Sequence, residues 1–207
     1  DALLKQLLYD PQNPLLFNNG FFVFFFTVFI AVFYALRHKI RARNYFFGFC
    51  SLYFFYKASG FFVGLVIVSA IVDFVLSNAI YRQQNKNTKK GLLLLSIVFN
   101  LGLLFYFKYT NFFVAVSNDL FQAGFNPLNI LLPVGISFYT FHGLSYVIDI
   151  YNDKIKPERN FIDYAVFVSF FPLLVAGPIE RATHLLPQIR RERVFDYSKA
   201  VDGLRQI

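Results

Sequence analysis

Three sets of polar residues stand inside apolar sequence, where an ionisable group is costly and needs a reason to be there. Asp73 lies in the middle of VSAIVDFVLSNAIY, with Ser69, Ser77 and Asn78 at helical spacing around it. A carboxylate inside a membrane helix costs roughly 2.5–3.5 kcal/mol on insertion scales, so it turns to a partner or a cavity. The stripe reads either as hydrogen-bonding glue between helices or as the lining of a substrate path. His142 lies in LPVGISFYTFHGLSYVIDIY, where positions 138, 142, 145 and 149 share one face. His142, Ser145 and Asp149 therefore form a candidate wet seam. His142 there is either a general base or a structural, hydrogen-bonded histidine. Glu180 and Arg181 follow the Gly177-Pro178 break. An exposed pair of that kind contributes little, whereas at the mouth of a cavity it could hold an anionic group such as a phosphate. His38 and His184 fall in basic surroundings and read as interfacial.

The elements that must position these residues are set by composition. Of 207 residues 57% are hydrophobic and 15% charged, against about 25% charged in a typical soluble domain, and 30 are Phe. A soluble domain of this size could not bury so much Phe, but lipid solvates it. The net charge of +8 sits in short clusters between apolar runs, which is a topology and headgroup signal and not a nucleic-acid footprint. Cys50 is the only cysteine, which excludes an internal disulfide and reads as a small core or lipid-facing residue. No metal site or bound cofactor is expected: CxxC, HExxH, GxSxG and a phosphate-binding Gly loop are all missing.

A helix crosses the roughly 30 Å hydrocarbon core with about 20 residues. Spans are expected at 15–36, 61–81, 92–109 and 131–151, with a short one at 45–58. The runs are continuous and do not alternate, which excludes barrel strands. The fold class is thus all-α, a polytopic transmembrane bundle. Basic residues concentrate in the loops at 37–43, 82–90 and 152–160, which places those loops in the cytoplasm and the N-terminus outside. Arg181, Arg190, Arg191 and Arg193 break this alternation if 161–177 crosses fully. That segment holds Pro172, so the alternatives are a kinked span and a re-entrant segment, which would line a cavity. From Phe195 onward an amphipathic helix starts. The chain opens on Asp1, contains no Met, and stops inside a helical pattern, so both ends are expected to be cut and 1–207 to be the N-terminal part of one domain.

The blocks LPVGISFYTFHGLSYVIDIY (132–151) and DYAVFVSFFPLLVAGPIERATHLLPQI (163–189) resemble the membrane-bound O-acyltransferase family. The bacterial alginate O-acetyltransferase branch is nearest, and LLFNN (15–19) and FKYTNFF (107–113) suit it. The resemblance implies a helical bundle around a tunnel and an acyl donor, acetyl-CoA or another activated acyl group, used from the cytoplasmic side. It also implies a hydroxyl acceptor on an extracellular polysaccharide, an extracytoplasmic acetyltransferase partner, and the cytoplasmic (inner) membrane of a bacterium. No nucleic acid is involved. The family's catalytic histidine lies in a Trp-containing block downstream of the GPI region. This chain has no Trp, so that histidine is expected beyond Ile207. His142, in the earlier block, does not inherit its role, and 1–207 alone is expected to be inactive. His142, Ser145, Asp149, Asp73, Glu180 and Arg181 remain candidates for the tunnel wall. The alternative is a transporter or channel, to which broken helices also point; the 132–189 blocks have no counterpart in 1–90 that would make an inverted repeat.

Overall fold

A computed structural model describes the chain except residues 1–6, 13, 16, 18, 123, 175–176, 178–179, 193, 195 and 207. Among the described residues there are helices and no strands. In chain order they are α1 (Gly20–Ala35), α2 (Ile40–Ser59), α3 (Val63–Arg82) and α4 (Lys86–Leu104), followed by α5 (Thr110–Phe121) and α6 (Ile136–Tyr151). Then come α7 (Phe161–Val168), α8 (Phe171–Leu174), α9 (Ala182–Arg190) and α10 (Tyr197–Arg205). Asparagine side chains start three of them. Asn19 accepts from the Phe21 N–H (3.0 Å), Asn85 from Asn87 (2.9 Å) and Asn160 from Ile162 (3.0 Å). Each satisfies a donor that the first helical turn leaves open.

Ile40–Arg82 and Lys86–Phe121 are the stretches long and apolar enough to cross a membrane. The first turns a corner at Gly60, whose φ of +60° is left-handed and whose hydrogen faces the Tyr9 ring. A Cβ there would lie 2.7 Å from Tyr9 Cε1, so glycine is required twice over. The second stretch loosens into a π-helical turn, Phe105–Tyr109, before α5. Phe24, Phe49, Leu94, Val98 and Phe112 point outward, as lipid-facing residues do and as an aqueous surface would not tolerate at this density.

Several boundaries differ from the sequence reading, among them the loop expected at 82–90, of which Arg82 ends α3 and 86–90 open α4. The helix expected at 45–58 begins at Ile40 and takes in Arg41 and Arg43, which had been assigned to a loop. Arg43 is buried because its guanidinium donates to the carbonyls of Ile189 and Arg191 (2.9 Å for the latter) at the C-terminal end of α9. Those carbonyls have no acceptor role inside the helix and attract a cation. Lys57 lies in the last turn of α2, with its Nζ donating to the Leu8 carbonyl (2.5 Å). The span expected from Leu131 starts as a helix only at Ile136, after a non-helical stretch that ends in a turn at Val134 and Gly135 (φ +77°).

The core has two parts. In the first, α3, α4 and α6 pack against one another, and α7 lies over α3 and α2. The second is aromatic. Phe171 is fully buried among Phe25, Phe29, Phe47 and Phe54, with an edge-on contact to Phe29 (centroids 5.1 Å, 88°), and Phe170 packs on Phe47 (5.0 Å). This nest holds the interruption at Ser169 and Phe170 between α7 and α8. An eight-residue α7 rises only about 12 Å, so it is too short to cross the bilayer by itself. Val175, Ala176, Pro178 and Ile179 of the segment read as re-entrant lie outside the described residues.

The amphipathic helix expected from Phe195, a residue outside the described ones, is α10, which begins at Tyr197. Asp196 caps it, accepting from the Ser198 and Lys199 N–H groups (3.1 and 3.3 Å). The Ser198 bonds and the Lys199 N–H favour the charged carboxylate and hold Asp196 below its usual range. A depressed carboxylate stabilises above its unfolded pKa and stops doing so as pH falls through the folded one. The protection of the amides at 198–200, relative to their intrinsic exchange at each pH, is therefore expected to fall on acidification below the ordinary carboxylate range, and Asp196→Ala to give that low protection already at neutral pH.

Candidate functional site: a buried polar seam beside a histidine

Asp73 is almost completely buried and is the hub of a three-helix network. Its Oδ1 accepts from Ser96 Oγ (2.9 Å) and Asn100 Nδ2 (2.7 Å) on α4, while Ser69 Oγ donates to Asn100 Oδ1 (3.1 Å). The other half of the α3 stripe turns back on its own helix: Ser77 Oγ and Asn78 Nδ2 both donate to the Phe74 carbonyl (2.9 and 2.8 Å). Oδ2 of Asp73 has no hydrogen-bond partner among the described residues and presses on Gly143 of α6. A Cβ at 143 would overlap Oδ2 and would lie 3.7 Å from the Tyr164 hydroxyl, which is also unpartnered. Asp73 thus fastens α3 to α4 by hydrogen bonds and lets α6 approach only because residue 143 has no side chain.

His142, one residue away, is fully buried. Its ring stacks on Phe167 of α7 (centroids 5.4 Å, 29°) beside the Val168 backbone. Neither ring nitrogen makes a well-formed hydrogen bond among the described residues. Ser145 does not reach the imidazole: its Oγ donates to the His142 carbonyl (2.9 Å). Asp149, two turns on and buried, pairs through Oδ1 with Lys154 Nζ (3.5 Å) at the end of α6. The expected seam therefore exists as a face, with His142 and Asp149 buried and Ser145 half-buried, but among the described residues no hydrogen bond joins the side chains of its three members. Glu180 and Arg181 do not pair with each other. Glu180 Oε2 meets His184 Nδ1 (2.8 Å) one turn into α9, and Arg181 stands exposed at the N-cap of that helix.

Several partners were not found from sequence. Ser96 and Asn100 sit four apart in an otherwise apolar run, a polar pair that could have been matched to Asp73. Tyr164 and Gly143 carry no such signal. Glu158 of the 152–160 loop is buried and ion-paired with Arg190, and its N–H donates to the Tyr146 hydroxyl (2.6 Å). That pair spans 32 positions and is invisible to local pattern.

Long apolar helices, outward Phe and Leu, and a polar seam turned inward define a helical membrane protein. Comparison with known proteins narrows the class. No family model matches the chain, and no solved structure matches it. It is 30% identical to the peptidoglycan O-acetyltransferase of Helicobacter pylori, over 92% of this chain and 42% of that protein. It is 32% identical to the probable alginate O-acetylase AlgI of Pseudomonas aeruginosa (90% and 36%) and 33% identical to that of Azotobacter vinelandii (90% and 38%). The chain spans about two fifths of the length of these relatives. Over about nine tenths of its own length the chain is similar to these O-acetyltransferases.

Proposed function

We propose that the protein is a membrane-bound O-acetyltransferase that serves the O-acetylation of an extracellular polysaccharide. Its similarity, along nearly all of this chain, to O-acetylases named for peptidoglycan and for alginate carries the reading. The acceptor hydroxyl attacks the carbonyl of an activated acetyl donor such as acetyl-CoA. A new ester bond forms, the thioester bond breaks, and the hydroxyl proton passes through a base to the departing thiolate. Transfer of this kind needs a base at the hydroxyl and exclusion of water. The base is the histidine expected beyond Ile207. This chain supplies wall: the α6 face with His142, Ser145 and Asp149, the Asp73 seam behind it, and the broken segment that begins with α7. Glu180 and Arg181 stand at its edge. The short α7 and the arginines after it support a re-entrant course for the segment that begins with α7.

The protein lies in the bacterial cytoplasmic (inner) membrane, with the N-terminus outside and the basic loops inside. An extracytoplasmic acetyltransferase partner completes transfer to the glycan. Deleting the gene in its host and restoring the full-length protein tests this. The expected result is loss of ester-linked acetate from the cell's exported polysaccharide and its return on complementation. Unchanged acetate in the deletion strain, together with a defect in uptake or export of a small solute, would overturn the reading in favour of a transporter.

A further inference from the structure

Beside the pair of buried Glu158 and half-exposed Arg190, the 152–160 loop and α9 line an open pocket of about 510 Å³. Its walls are apolar where Ile155, Pro157, Leu186 and Pro187 face it, and cationic where Lys156, Arg159 and Arg190 do. The lining holds three cations and one carboxylate, a net charge of +2. That carboxylate is already engaged: Glu158 pairs with Arg190 and accepts from the Arg159 N–H (3.2 Å). The pocket is also built to keep its shape. Glu158 is held from below by Tyr146, and α9 is locked to the bundle by its buried Ala182, Leu185, Leu186 and Ile189 and by Arg43 at its C-terminal end. Arg190 spends one nitrogen on Glu158 and keeps further donors of its planar fork.

The position fixes the chemistry. The loop follows directly on α6, whose last turn ends at Tyr151, and is one of the basic loops; with α6 read as part of the membrane bundle, as proposed above, the pocket falls at headgroup depth. Basic pockets between membrane helices at that depth recognise anionic headgroups, and a lining that is half apolar suits a ligand with a phosphate and a hydrocarbon root. We propose that this pocket binds the phosphodiester headgroup of an anionic phospholipid, with Lys156, Arg159 and Arg190 as its cations. The lipid clamps the cytoplasmic loop to α9, next to the segment that begins with α7. This goes beyond acetyl transfer and does not depend on it.

The test uses full-length protein in nanodiscs of phosphatidylcholine containing phosphatidylglycerol, with retained lipid counted by native mass spectrometry. Lys156→Glu with Arg159→Glu is expected to lower phosphatidylglycerol retention by about tenfold. The milder pair Lys156→Gln with Arg159→Gln is expected to give a smaller loss without charge reversal. Lys86→Glu with Lys90→Glu, at the basic start of α4 and outside the pocket, is expected to retain the lipid. Equal retention in all variants overturns the site, and equal loss in the Lys86/Lys90 pair reduces it to general surface charge. Displacement of the lipid from wild-type protein by soluble coenzyme A, with no phosphatidylglycerol preference left, assigns the pocket to the acyl donor and also overturns the proposal. Because lipid counting needs no turnover, failure here leaves the acetyltransferase reading standing, and the reverse holds too.

Discussion

Gly143→Ala in the full-length protein is expected to lower its melting temperature by several degrees, the sign of about 1–3 kcal/mol lost to overpacking. The methyl group would occupy the place of Asp73 Oδ2, which is fixed because its Oδ1 is held by Ser96 and Asn100. Either α6 moves away from α3 or the α4 hydrogen bonds break. The helix itself favours the change, since alanine is the better helix former by up to about 1 kcal/mol, so a loss of stability isolates the tertiary clash. Asp73→Ala alone is expected to cost about 1 kcal/mol, because two interhelical hydrogen bonds within a membrane are worth roughly 0.6 kcal/mol each. The pair Asp73→Ala with Gly143→Ala is expected to lose less than the two single losses added together, since removing the carboxylate makes room for the methyl. Strict additivity, measured by thermal unfolding followed with size-exclusion fluorescence, would mean that Asp73 and Gly143 do not touch.

Arg190→Ala is the second large effect. It leaves the buried Glu158 carboxylate without its cation. Removing one member of a fully buried pair costs roughly 3–5 kcal/mol, and with half of the Arg190 side chain in water a loss nearer 2 kcal/mol is expected. Adding Glu158→Gln removes the stranded charge and is expected to restore most of the melting temperature. If Arg190→Ala is as stable as the wild type, the loop is not held to α9 by this pair.

The membrane bundle was legible because lipid-facing and buried residues alike are apolar, so long runs survive in the sequence. Helix ends were not. Arg43 reads as a loop residue until the end of α9, 146 to 148 positions away, is known to offer its terminal carbonyls. Asp73 and His142 were legible as buried polar groups, since charge inside an apolar run stands out. What they do was not. Asp73 is engaged by α4, and Ser145 turns to the α6 backbone instead of to His142. Gly143 looks like any glycine until a carboxylate from another helix is placed on it. The Phe170–Phe171 nest looks like lipid-facing sequence until α1 and α2 close around it.

The central claim is that this chain is wall and the reacting base lies elsewhere. It is tested most directly by acetyl transfer in the full-length protein with His142→Ala set against alanine at the histidine of the downstream Trp-containing block. The account predicts that His142→Ala keeps most of the activity, while the downstream change lowers it by about 10²–10⁴-fold, the usual contribution of a positioned base. Loss of that size in a folded His142→Ala protein, with the downstream variant active, would contradict it and place the base on α6.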